Sequence, residues 1–172
     1  MNIKSTTSRM TLITMLLAMS VILHYFDPAI PGAPGAKFGL ANIIGLITLY
    51  LFGSKDMVKL NAMRVLLSSL LRGILLGIGF WMSVFGVLFS TLAVLLFKKT
   101  TKMSPIGISV ASALFHNIGQ VFALIYINKS IGMIYWLPIM LFSAIPTGLL
   151  TGYVSLLVLK RFRCSPKLLN LD

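Results

Sequence analysis

Between Arg9 and Leu159 the chain is a succession of long apolar runs, broken only by short polar or glycine- and proline-containing segments. Several runs approach the roughly 20 apolar residues that crossing a bilayer requires. Composition points the same way: 58% of residues are hydrophobic and 10% charged, too few charges to coat the surface of a soluble domain. The expectation is an all-α, multi-pass membrane protein, with residues 1–172 forming a single integral membrane domain. That length accommodates about six transmembrane helices with short loops and leaves no room for a separate soluble catalytic domain.

Local signals place the helices. A first span runs from Arg9 to Phe26. Its basic start imitates a signal peptide, but Pro31 and Pro34 crowd the imitation cleavage site, so a retained span is the better reading. The stretch "DPAIPGAPGAK" cannot continue a helix and reads as an extended loop over 27–37. Helix 2 is expected from Phe38 to Phe52, helix 3 from Asp56 to an end between Arg72 and Gly79, and helix 4 from Phe80 to Phe97. Helix 5 follows from Ile106 to Ile127 and helix 6 from Ile134 to Leu159, with Pro138 and Pro146 inside it and a kink expected at Pro146.

The net charge of +12 suggests nucleic acid only until the charges are placed. Lys4, Arg9, Lys55, Lys59, Lys98, Lys99, Lys102, Lys160, Arg161, Arg163 and Lys167 fall on one side, and Lys37, Arg72 and Lys129 on the other. The positive-inside rule then puts both termini in the cytoplasm. Nucleic acid is not an expected partner; the lipid bilayer is. The lone Cys164 excludes an intrachain disulfide and a multi-cysteine zinc cluster.

Polar residues inside spans are expensive and therefore informative. Asn61, Arg64, Ser68 and Arg72 share one face of helix 3, at i, i+3, i+7 and i+11;. Ser109, Ser112, His116 and Gln120 repeat that spacing on helix 5, within "SALFHNIGQVFAL". Asn117 lies about 100° away and should meet a different neighbour. Arg64 dominates this set, because an arginine at a helix centre costs about 2.5–3.5 kcal/mol on insertion scales. The three acids, Asp27, Asp56 and Asp172, all fall in loops or at the terminus. Arg64 either snorkels inward or pairs with Asp56, or it lines a polar cavity and meets an anionic group. His116 either makes an interhelical hydrogen bond or faces the same cavity.

Two stripes of small residues are also present. Thr7, Thr11, Thr14 and Ala18 share a face of helix 1, and Ala144, Gly148 and Gly152 a face of helix 6. Such faces permit close helix approach, either inside the bundle or against another membrane subunit.

Several chemistries lack their residues. There is no GxxxxGK[ST] loop, HExxH, GxSxG or CxxC;. Three scattered aspartates and no glutamate cannot hold Mg²⁺ for diphosphate chemistry. The chain is expected not to be an enzyme by itself and to need no metal or cofactor. Transport, if it occurs, would draw its energy from another protein.

The stretches "KFGLANIIGLITLYLFGSKD", "MRVLLSSLL" and "HNIGQ" resemble the bacterial Gx transporter family, often labelled heptaprenyl diphosphate synthase component I, across roughly residues 10–160. The matching positions are Lys37, Gly39, Leu40, Ala41, Asn42, Arg64, His116, Asn117, Gly119 and Gln120. That family looks like the substrate-binding S components of energy-coupling factor (ECF) transporters. The resemblance implies a six-helix bundle that captures a micronutrient near the outer face and docks on a transmembrane coupling subunit with two ATPase subunits. S components often dock through AxxxA on helix 1; here the pattern is TxxxA, at Thr14 and Ala18 beside Thr11.

The combined expectation is a membrane capture subunit in the bacterial cell membrane for a small anionic micronutrient or cofactor precursor. Lys37, Asn42, Asn61, Arg64, Ser68, His116 and Gln120 are its candidate ligand contacts, and loop 27–37 its lid. The alternative is a non-catalytic membrane accessory subunit linked to heptaprenyl diphosphate or quinone biosynthesis.

Overall fold

The structure is a computed structural model that describes residues 6–27 and 39–163. Lys37, Cys164, the helix 2 start at Phe38 and the 27–37 loop beyond Asp27 lie outside the described residues. Six α-helices follow one another: α1 (Thr6–Phe26), α2 (Leu40–Leu51), α3 (Ser54–Leu71), α4 (Ile78–Thr100), α5 (Pro105–Asn128) and α6 (Leu137–Arg163). A 3-10 turn, Ile131–Trp136, leads into α6, and no strand occurs among the described residues.

Local chemistry sets the boundaries. Gly39, at φ 71°, starts α2 in the left-handed region that glycine adopts without steric penalty. Ser104 caps α5, accepting from the Gly107 amide at 3.2 Å, and Pro105 follows at the first helical position, where its missing N–H costs nothing. Helix 3 begins two residues before the expected Asp56 and stops at Leu71, where the turn through Gly73 and Leu76 enters positive φ. Pro138 is therefore the second residue of α6, while Pro146 alone lies in its interior.

Among the described residues, four segments are long and apolar enough to cross a membrane: Thr7–Phe26, Ile78–Thr100, Pro105–Asn128 and Ile131–Phe162. The expectation of about six transmembrane helices meets six helices, α1 to α6, of which α2 and α3 are not among these segments. Helix α2 has 12 residues, about 18 Å at the usual rise, short of the roughly 30 Å hydrocarbon core. Eight residues of α2 are buried, so it is a central strut of the bundle. Helix α3 is 18 residues long but carries Lys55, Asp56, Lys59 and Arg64, too many charges for a simple span.

The helices alternate in direction. At one end Arg9 of α1 pairs with Asp56 of α3 at 2.5 Å, and Lys98 of α4 donates to the Leu49 carbonyl of α2 at 3.2 Å. Beneath them Leu46, Leu49, Met57, Val94 and Ile108 form a core cluster. At the other end Arg72 donates to the carbonyls of His24 and Tyr25. Between α4 and α5 the backbones touch: a Cβ at Gly119 would lie 2.4 Å from the Phe85 carbonyl oxygen.

Candidate functional site

Near the end where α1 finishes and α2 begins, the six helices leave a polar cavity, to which α4 contributes Ser83 and Val87. Asp27 and His24 approach from α1, Gly39 and Asn42 from α2, and Arg64 from α3. Helix α5 adds His116, Asn117 and Gln120, and α6 adds Thr147 and Thr151. The cavity measures about 40 Å³, room for about three waters at the roughly 10–15 Å³ each needs.

The HNIGQ segment is built for this wall. Gly119 lets α5 lie against α4 at Phe85, and the His116 ring and Gln120 stem pass beside Gly86. Any larger residue at 119 would push α5 away and withdraw both side chains from the cavity. Asn117 donates to the Met140 carbonyl of α6 at 2.6 Å, the separate neighbour its angular offset predicts. One short polar segment thus ties α5 to α6 and supplies cavity-facing groups.

Arg64 is 2% exposed. Its Nη2 donates to Asn42 Oδ1 at 3.4 Å, while Nε and Nη1 have no hydrogen-bond partner among the described residues. The Gln120 Oε1 atom is likewise buried without one. Buried polar groups are normally satisfied by protein or water, so these atoms mark where a guest or ordered water belongs.

The pairing of Arg64 with Asp56 is not what the structure shows; Asp56 is engaged by Arg9. A different acid lies near Arg64. Asp27, the residue after α1, is 7% exposed, lines the same cavity and acts electrostatically on Arg64. Its Oδ2 accepts from the Gly39 amide at 2.9 Å. A loop position concealed it: sequence spacing relates residues on one helix, and Asp27 reaches Arg64 from another. The available signal was an acid directly abutting a span in a chain with three acids.

The expected contacts divide. Asn42, Arg64, His116 and Gln120 come together in the cavity. Lys37 lies outside the described residues. Ser68 is buried, but it donates to the Val65 carbonyl of its own helix at 3.3 Å and does not line the cavity. Asn61 lies one level deeper: it donates to Thr91 Oγ1 at 3.2 Å and lines a smaller void of about 20 Å³ with Asn42, Ser90 and Ser112. Its depth follows from geometry, since three residues of helix separate Asn61 from Arg64 by about 4.5 Å along the axis. Asn61 and Thr91 also reach a groove of about 280 Å³ between α3 and α4, otherwise apolar and lined by Val65, Leu66, Val84 and Leu88 among others.

Among the described residues no three His, Cys, Asp or Glu side chains lie together where they could hold a metal ion. The cavity offers hydrogen-bonding and charged groups instead.

Compared with known families, residues 16–158 match the model described as heptaprenyl diphosphate synthase component I. The chain belongs to that family. No curated protein and no solved structure matches it. Within the heptaprenyl diphosphate synthase component I match lie Asn42, Arg64 and the whole HNIGQ segment, together with Asp27.

Proposed function

We propose that the protein is the membrane capture subunit of an ECF-type importer in the bacterial cell membrane, binding a small micronutrient or cofactor precursor that carries an anionic group. One observation carries the reading: a buried guanidinium, two of whose nitrogens have no hydrogen-bond partner among the described residues, lines a cavity shared with amide and imidazole groups. Arg64 supplies charge, and Asn42, His116 and Gln120 orient the guest. Ligand sites usually enclose about 300 Å³ or more, so the closed 40 Å³ cavity widens on loading. Asp27 and Gly39 line it, joined by a 2.9 Å hydrogen bond. Both termini lie in the cytoplasm, in keeping with the basic residues around Arg9, Lys55 and Lys98 at the opposite end. The chain itself is non-catalytic. A transmembrane coupling subunit with two ATPases docks on the α1 face of Thr11, Thr14 and Ala18, which are exposed.

The test is to purify the protein from native membranes and identify the small molecule it retains. Arg64→Ala and His116→Ala are each expected to lower affinity for that molecule at least tenfold. Folded variants that bind it as tightly as wild type would sink the assignment.

The family's printed description favours a second reading, an accessory subunit of prenyl diphosphate synthesis. The α3/α4 groove supports it, being mostly apolar and about 280 Å³ in volume. Pull-down separates the two: a coupling subunit with ATPases favours import, and a soluble prenyl synthase favours the accessory role.

A further inference from the structure

The cavity that holds Arg64 has an apolar neighbour at its own level. On α3, Arg64 lines the cavity, while Ala62 and Val65 line the groove of about 280 Å³ against α4. On α4, Ser83 lines the cavity, Val84 lines the groove, and Val87 lines both. Successive residues of a helix differ in height by only about 1.5 Å. The charged cavity and the apolar groove therefore stand side by side, divided by the seam between α3 and α4.

That seam is aliphatic beside Arg64. Val65 and Val87 are buried in one cluster with Phe80, and Val84 packs against it. The hydrogen bond that joins the two helices lies deeper, where Asn61 donates to Thr91 at 3.2 Å, about 4.5 Å along the axis from Arg64. Parting the valine side chains breaks no hydrogen bond. On the groove itself, Leu66 and Leu88 are each 49% exposed. Helix α4 is long and apolar enough to cross a membrane, and in a bilayer the surroundings of such leucines are lipid chains.

We propose that the captured guest is an anionic amphiphile, with its charged head against Arg64 and its hydrocarbon tail leaving the bundle between α3 and α4 through the groove. This rests on the capture reading above and specifies its substrate class. The groove adds little affinity of its own, because lipid chains are as apolar as the leucines that line it. It supplies a path. A head enclosed in the cavity with a tail attached needs an exit, and a hydrocarbon chain is accommodated where the exit is apolar. A guest without a tail uses the cavity alone.

The test compares two phosphate monoesters with the same head, dodecyl phosphate and methyl phosphate. Each is titrated onto protein in phosphatidylcholine nanodiscs, with binding read by thermal stabilisation. Arg64→Gln should weaken both at least tenfold. Ala62→Trp sets an indole across the groove at an exposed position. It should weaken dodecyl phosphate at least tenfold and leave methyl phosphate within twofold of wild type. Dodecyl phosphate bound equally well by wild type and a folded Ala62→Trp overturns the tail path while leaving anion capture standing. Binding of both esters that ignores Arg64→Gln overturns the proposal and the capture reading together. A measurement on the wild type alone also decides, whether or not the variants fold. An anionic molecule with a hydrocarbon chain, enriched in the purified protein over its share of the native membrane, supports the proposal. A retained anion without such a chain overturns it without disturbing the capture reading, and chain-bearing lipids retained only in bulk membrane proportions overturn it as an adventitious coat.

Discussion

Helices α1 and α6 carry the same sequence signal and end in opposite surroundings. On α1, Thr7, Thr11, Thr14 and Ala18 share one face and all are exposed. On α6, Ala144, Gly148 and Gly152 are buried against α5: a Cβ at Gly148 would lie 2.7 Å from Val110 Cα. Only 11% of the apolar window of α1 is buried, against 44% for α5. A small-residue stripe allows a close approach but does not choose the partner. Helix α1 satisfies its packing through Leu16, Leu17 and Leu23, which meet Ile43, Ile44, Ile47 and Leu60, and its small face is left over. The threonines there bond their own helix, Thr11 to the Thr7 carbonyl and Thr14 to the Met10 carbonyl, so nothing in the bundle needs them.

The comparison breaks most readily where the contact is tightest. Gly148→Val places branched carbons against the α5 backbone, and stability should fall by about 2–3 kcal/mol, the upper part of the overpacking range. Detergent-solubilised protein should show this as a lower midpoint of thermal unfolding. An unchanged midpoint would mean that α6 does not lean on α5 through this stripe.

Arg72 tests the tie at the far end of the loose helix. Its side chain satisfies carbonyls that the end of α1 leaves without helical partners;, in the position where a cation also suits the helix dipole. Arg72→Gln should lower stability by about 1 kcal/mol and speed amide exchange in the last turn of α1, leaving α5 protected. Equal loosening of both helices would contradict the division drawn between them.

The smallest effect belongs to the free stripe. Ala18→Val repeats the α6 experiment on α1 and should change stability by no more than about 0.5 kcal/mol. Recovery of a coupling subunit from native membranes should nevertheless fall severalfold. A stability loss matching that of Gly148→Val would show that the α1 face is packed after all.

Part of the site was legible beforehand for a local reason. Residues spaced at helical intervals share a face, so Arg64 and the pair His116 and Gln120 could be placed on inward faces from spacing alone, and Asn117 assigned a separate neighbour. The same rule misjudged Ser68. It lies on the correct face and is buried, but its hydroxyl turns back to the Val65 carbonyl, a choice open to any helical serine. Spacing also placed Asn61 beside Arg64 without showing that one helical turn would put it in a separate void. Asp27 was the largest omission, because no periodicity connects a residue at the end of α1 with one in the middle of α3.

The sequence by itself determined an all-helical membrane protein, the approximate bounds of its helices and the presence of a costly arginine within one of them. Those follow from hydropathy and periodicity, which act over a few residues at a time. Only the tertiary structure decided that α2 is a short internal strut, that one small stripe is covered and the other bare, and that Arg64 shares its cavity with Asp27. Each of these depends on which helix lies beside which, and contacts between distant segments are set by packing the whole bundle at once.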